Sequence, residues 1–363
     1  MNNFDWKLYN GNLAWLPERT IFMARHGSKA YGTSLPSSDE DFRGVAIAPR
    51  EYYLGGVHRF EQAVCNVPVD LTIFCLRKFI GLAAQANPNI LEILFVDDAD
   101  RLQVSAAGER LLAAREAFIS RRVKHTFSGY AASQMSRIRG HNRWLRSPPT
   151  APPTRAEFAL PERTLIPQDQ LDAANAGIRQ KLDGWSADFL DDLERDVREA
   201  ILQKMSEHLA EIQVASSEEL WRGAARTIGF SENFIELLDK ERRYAGKKRE
   251  WDNFQTWKKG RNPARAELEA KHGFDTKHAM HLVRLVRMCR EILETGKVVV
   301  RRPDADELLS IRAGAWTYEQ LVEWSERENA DLEEVAKTSP LPKTPDFEAI
   351  DRLCVDLISE AIR

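Results

Sequence analysis

Two aspartates separated by one residue, Asp39 and Asp41, follow a Gly27-Ser28 pair within the segment GSKAYGTSLPSSDEDFRG. Upstream, TIFMA (Thr20 to Ala24) is a short apolar, β-leaning run, and downstream FRGVAIAP reads as a strand with one buried face. Alternation along such a strand turns residues i and i+2 to the same side, which predicts that Asp39 and Asp41 present two carboxylates together. Adjacent carboxylates repel unless a divalent cation bridges them, and hard oxygen ligands of this kind suit Mg²⁺ or Mn²⁺ held jointly with substrate phosphates. The Gly-Ser turn offers the complement: close backbone approach and donors for phosphate oxygens. Asp70 is a natural third carboxylate. It lies in VPVDLTIFCL, where alternation sets Val69 and Leu71 towards the core and Asp70 on the opposite side. Three carboxylates on neighbouring strands can hold two metals, one activating an attacking hydroxyl and one stabilising a leaving oxygen in phosphoryl transfer.

The elements that must position these residues mix strands and helices up to about residue 120. HRFEQAV reads as a further strand, and RKFIGLAAQANPNILEILF as a helix broken at Asn87-Pro88. Interleaving of this kind predicts an α/β (α+β) domain with a mixed sheet over residues 1–120. From Arg121 onward helical periodicity dominates, apart from a Pro-rich excursion near residues 147–167, so residues 121–363 are expected to form an all-helical domain. Helices are predicted at about 168–176, 187–215, 218–227, 231–243, 263–272, 276–295, 305–312 and 317–337. The chain has 363 residues, a hydrophobic fraction of 43% and a net charge of −3, which suits a soluble protein and gives no general attraction to nucleic acid. Its four cysteines are dispersed with no CxxC pair, and no apolar run approaches membrane-spanning length, so a reducing cytoplasm is expected.

A second set of candidates sits on DTKHAMHLVRLVRMCREIL. Leu282, Leu285, Cys289 and Ile292 mark the buried stripe, with His278 at its edge as a half-buried, hydrogen-bonded histidine. Lys277, His281 and Arg284 fall at i, i+4 and i+7, a basic ridge able to grip a triphosphate lowered into a cleft between the two domains; the alternative is a solvated charged face. His278 and His281 have no Cys or further His nearby in sequence to complete a zinc site. Two basic stretches remain. Residues 121–146 carry Arg137, Arg139 and Arg143 with no acid, and residues 240–265 carry Lys247 and Lys248 interleaved with Tyr244, Trp251, Phe254 and Trp257. Basic groups for phosphates and aromatics for bases are what a nucleic-acid groove requires, whereas a plain helix would turn the aromatics inward.

Gly-Ser, a loop, Asp-x-Asp on a strand and a lone Asp on a later strand together resemble the DNA polymerase β-type nucleotidyltransferase superfamily. More narrowly, HGSKAYGTSLPSSDEDFRGV, NPNILEILF and GFDTKHAMHLVRL are similar to its RNA-ligase-associated group, with the likeness extending to Arg312. Glu40 departs from the pattern, which usually has an apolar residue there. The resemblance implies that Gly27 and Ser28 cradle the β- and γ-phosphates of a nucleoside triphosphate, with Lys29, Tyr31 and Arg43 near phosphate, base or acceptor. It implies that Asp39 and Asp41 bind two Mg²⁺ or Mn²⁺ ions, and that Asp70 holds the catalytic one and helps deprotonate an acceptor hydroxyl. The expected activity is transfer of a nucleoside monophosphate to a hydroxyl, favouring an RNA end in repair or processing. The alternatives are a protein side chain or small molecule as acceptor, or a non-catalytic nucleotide-binding regulator.

Overall fold

A computed structural model describes residues 4–183, 217–261 and 263–363. Five strands, β1 (Thr20–His26), β2 (Asp41–Ala46), β3 (Gln62–Cys65), β4 (Asp70–Cys75) and β5 (Arg101–Val104), form one mixed sheet in the order β3-β4-β2-β1-β5. β2 and β4 run parallel, and the other pairings are antiparallel. The helices that matter below are α1 (Gly27–Tyr31), α2 (Leu76–Ala84), α3 (Pro88–Leu94), α4 (Val123–Arg146), α5 (Gln168–Asp183), α6 (Ser217–Thr227), α7 (Glu232–Lys259), α8 (Pro263–His272), α9 (Thr276–Thr295), α10 (Ala305–Arg312), α11 (Tyr318–Thr338) and α12 (Phe347–Ala361). The fold is thus a mixed-sheet α/β (α+β) palm followed by helices. The helix expected over 187–215 lies outside the described residues.

Alternation in the central strands explains how both sheet faces are covered. Phe42, Ala46, Leu71, Ile73 and Met23 share one core with Phe4, Leu16 and Leu102. Phe22, Ala24 and Val45 turn the other way, into a larger core with α2, α3, α4 and α9. α9 has a wide buried face, with Leu282, Val283, Val286, Met288, Cys289, Ile292 and Leu293 all fully buried. A wide apolar face of this kind must be covered by other elements, while the charged residues of the helix, Arg284 apart, keep to its remaining side. α4 pairs along its length with α9, and α10 and α11 pack against α9 in turn.

This arrangement moves the expected domain boundary. One compact unit comprises Met1–Ser147 with Asn262–Arg363, and the other comprises Pro148–Arg261. The break expected near residue 120 falls inside the first unit because α4 and α9 build the core that covers the palm. Chain-distant bonds tie that unit together: Arg302 N–H donates to the Tyr31 carbonyl (3.0 Å), Arg121 N–H to Pro342 (2.9 Å), and the Arg19 guanidinium to Ala361 (2.9 Å). The second unit holds its own core of Ile166, Leu171, Ile178, Trp221, Ala225, Ile235 and Leu238. Within it Arg155 grips the buried Glu241 through two nitrogens, at 2.6 and 3.0 Å.

Ile292→Ala removes three carbons from a fully buried position in α9. It should lower the unfolding free energy by about 2–5 kcal/mol, read as a fall in urea midpoint at constant slope.

Candidate active site

β1, β2 and β4 end in one row. His26 is the register partner of Asp41, and Asp41 is the register partner of Asp70. Paired residues of neighbouring strands point to the same face, and alternation from Phe42 and Leu71 puts this row on the helix-covered side. Asp41 and Asp70 are therefore side by side, as strand alternation predicts for Asp70. Burial raises the Asp41 pKa; Arg43 opposes that rise, while the Asp70 charge and a hydrogen bond with Asp70 add to it. Arg43, two residues along β2, clamps Asp70 with both guanidinium nitrogens at 3.0 and 3.3 Å.

Asp39 departs from expectation. β2 begins at Asp41, so Asp39 sits in the exposed loop before the strand, where pleating no longer dictates its direction. Among the described residues it does not join Asp41 and Asp70 in a cluster whose ligand atoms all lie within 4.8 Å of one another.

Gly27 opens α1 with φ +67°, and a Cβ built there would lie 2.0 Å from Oδ2 of Asp41. Glycine is required twice over: for the left-handed backbone, and because the Asp41 carboxylate occupies the side-chain space. The Gly27-Ser28 turn is thereby pressed against the carboxylate pair. Lys29, which follows, pairs with Glu40 at 2.6 Å, and this contact lowers the Glu40 pKa. That pairing gives the unusual Glu40 a place.

Behind the row lies an ionic cluster that the sequence did not disclose. Glu92 of α3 is fully buried, and its carboxylate is met by three groups: Arg284 of α9, the Tyr31 hydroxyl at 2.5 Å and His26 Nε2 at 3.5 Å. Burial alone would raise the Glu92 pKa, but Arg284 foremost, with His26 and Tyr31, brings it down to about 2. The Arg284 guanidinium also lies 3.8 Å from the centre of the Tyr31 ring.

These contacts correct the basic ridge. Arg284 is buried in an ion pair with Glu92 and does not face a cleft. Burial pushes the His281 pKa well below its usual value, with Arg284 and Lys277 adding to the effect, so His281 brings no positive charge at neutral pH. Lys277 stays half-buried at the start of α9. The ridge was expected to face the palm across a domain boundary, yet α9 belongs to the palm's own unit. Tyr31 likewise turns inward and is nearly fully buried. The missed partners had a faint signal: Glu92 is the one acid in the apolar run NILEILF, and Arg284 is flanked by valine and leucine.

On α4, Arg137, Arg139 and Arg143 are exposed. Arg139 pairs with Glu326 at 3.1 Å, Arg146 with Glu319 at 3.5 Å and Lys124 with Glu333, so acids of α11 answer part of the basic run. On α7, Lys247 and Lys248 are exposed, with Lys247 3.0 Å from Glu250. The α7 aromatics pack on one another: Trp251 and Phe254 centroids are 6.1 Å apart, and Phe254 and Trp257 5.9 Å. Phe254 is buried, so self-packing accounts for these rings in part.

Comparison with known proteins bears on the same region. Residues 12–151, which carry β1 to β5, match the model of the "RNA repair pathway DNA polymerase beta family". An uncharacterized 38.9 kDa protein of the nrdC–mobD intergenic region of Enterobacteria phage T4 is 31% identical over 85 residues, which is 21% of this chain and 25% of the phage protein. The chain thus spans about a quarter of that relative's length. No solved structure matches. Among the described residues no helix is long and apolar enough to cross a membrane.

Glu92→Gln should destabilise the fold by about 3–5 kcal/mol at pH 7, because it leaves Arg284 buried without its counter-charge. The folded-state pKa of about 2 lies below the ordinary 4.5, so the stability Glu92 contributes is complete above about pH 4.5 and is lost as pH falls towards 2. The gap between wild type and variant should accordingly narrow on acidification, measured by urea unfolding at pH 7 and pH 3. Gly27→Ala should cost about 1–2 kcal/mol for its backbone alone and should also displace the Asp41 carboxylate. A variant with unchanged thermal stability and unchanged divalent-ion binding would contradict that contact.

Proposed function

We propose that this chain, whose residues 12–151 match the model of the RNA repair pathway DNA polymerase beta family, transfers a nucleoside monophosphate from a triphosphate to a hydroxyl acceptor. The observation that carries the reading is the register pair Asp41–Asp70, with the Gly27-Ser28 turn in contact with Asp41. The donor set fits a divalent cation: two carboxylates share a face, one of them with raised proton affinity, and hard oxygen donors of this kind suit Mg²⁺ or Mn²⁺. Asp41 and Asp70 would hold the metal, with Asp39 in the adjoining loop as the further ligand and two ions expected in all. When bound, such ions neutralise triphosphate charge and make an acceptor hydroxyl more acidic.

The protein's own groups supply the rest. Backbone N–H groups of the Gly27-Ser28 turn bind phosphate oxygens, with Lys29 beside them. The Asp70 carboxylate, oriented by Arg43, takes the proton of the acceptor hydroxyl. The hydroxyl oxygen then bonds to the α-phosphorus while the bond to the bridging oxygen breaks, and pyrophosphate leaves. Positioning and charge neutralisation account for the acceleration. Glu92 and Arg284 act through His26 and Tyr31, holding the ends of β1 and α1 where the turn needs them.

The favoured acceptor is an RNA end. Support comes from the description of the matching family and from exposed Arg137, Arg139 and Arg143 in one unit and Lys247 and Lys248 in the other. A protein side chain or a small molecule is the competing acceptor, and a nucleotide-binding regulator without turnover is the competing class. Incubation with each α-labelled triphosphate, Mg²⁺ or Mn²⁺ and total cellular RNA and protein distinguishes them by where label appears.

Asp41→Asn and Asp70→Ala should each abolish transfer while leaving the far-UV spectrum intact; near-normal turnover in Asp70→Ala would remove it from the metal site. RNA binding should weaken steeply as salt rises, because phosphate pairing releases counterions. Charge reversal at Arg137 and Arg139 should weaken RNA binding and leave nucleotide affinity unchanged, and salt-insensitive RNA binding with labelled protein would favour the competing acceptor.

A further inference from the structure

Away from the carboxylate pair, three segments of the first unit bring together a histidine and two acids. His141 lies near the end of α4, Glu269 near the end of α8, and Asp275 caps the start of α9. One ligand atom from each lies within 4.8 Å of the other two, and His141 Nδ1 is 3.8 Å from Glu269 Oε1. Glu269 and Asp275 are 2% and 3% exposed. A histidine nitrogen and two carboxylate oxygens drawn this close together out of water are the donor types that a borderline divalent cation takes.

The surrounding groups already orient this set. Asp275 Oδ1 accepts the backbone N–H groups of Lys277 (2.9 Å) and His278 (3.1 Å), which fixes the carboxylate and sets Oδ2 at 3.5 Å from His278 Nε2. The rings of His141 and His278 lie 5.9 Å apart. Asn142, next to His141, donates to the Gly273 carbonyl at 2.8 Å and so pins the α8–α9 turn to α4.

We propose that His141, Glu269 and Asp275 form a second divalent-metal site, of zinc type, that fastens α4, α8 and α9 together. Ligand atoms bonded to one zinc ion at about 2.0–2.2 Å sit a little over 3 Å apart, which a small contraction of the observed cluster reaches. One imidazole nitrogen with two carboxylates selects a borderline ion such as Zn²⁺ over Mg²⁺, which prefers all-oxygen shells. His278 is the outer partner that orients Asp275, the role commonly filled around metal ligands. The site is separate from nucleotidyl transfer in its residues. It bears on the fold through α9, which carries Arg284 to Glu92.

The test uses the full chain carrying Asp41→Asn and Asp70→Asn, so that the carboxylate pair no longer competes for metal. Titration calorimetry with zinc chloride alone should show one equivalent bound, and magnesium chloride should give no heat. Zinc should also raise the melting temperature, since only the folded chain assembles the three ligands. Glu269→Gln added to this background should weaken zinc at least tenfold and remove the thermal shift. Asp275→Asn keeps the helix cap and should do the same, which covers the case in which Glu269→Gln fails to fold. Absence of zinc uptake, or undiminished affinity in a correctly folded variant, would overturn the assignment.

Discussion

The buried carboxylate of Glu92 is the constraint on which the palm's geometry depends. A lone charge at zero exposure would be untenable, so the fold must deliver a cation to it, and Arg284 arrives on a helix almost two hundred residues later in the chain. Because Tyr31 and His26 join the same carboxylate, a single electrostatic requirement ties α9 and α3 to the ends of α1 and β1. The C-terminal helices therefore serve as a buttress for the turn that begins at Gly27. The N–H of Arg302 on the Tyr31 carbonyl and the packing of Arg301 near Gly32 extend the same support.

With that frame in place, the row His26–Asp41–Asp70 concentrates negative charge at the ends of three strands. Two effects keep the arrangement stable without any ligand: the proton affinity of Asp41 is raised, and Arg43 answers Asp70. Burial foremost, and then the Asp70 charge, raises the proton affinity of Asp41, while Arg43 offsets the charge of Asp70 directly. The close approach of Gly27 to Asp41 couples the Gly27-Ser28 turn to the carboxylates, so neither can shift without the other.

Charge elsewhere is more evenly matched than a stretch of sequence suggests. Glu319, Glu326 and Glu333 recur every seven residues along α11 and meet Arg146, Arg139 and Lys124 of α4. Exposed pairs of this kind contribute little to stability and exchange easily with other ions. They lower the net potential of α4 while leaving its arginines accessible, which sets a modest electrostatic scale for any polyanion.

The sequence by itself determined the mixed palm, the positions of β1, β2 and β4, the break at Asn87-Pro88 and the buried stripe of α9, because each follows from local periodicity and turn chemistry. It likewise pointed to Gly27, Asp41 and Asp70 as neighbours, which the sheet register and the Gly27 turn bring together. It missed β5 and α12, whose short or mixed patterns gain definition only from their neighbours. Asp39 fell outside β2 because the strand's start is set by pairing with His26 and Asp70, not by alternation. The fate of Arg284 and Tyr31, the partnership of His26 with Glu92, and the meeting of His141 with Glu269 and Asp275 were decided by tertiary structure alone. Spacing along a helix shows which residues share a face, but only the packed chain shows whether that face meets water, a carboxylate or a core.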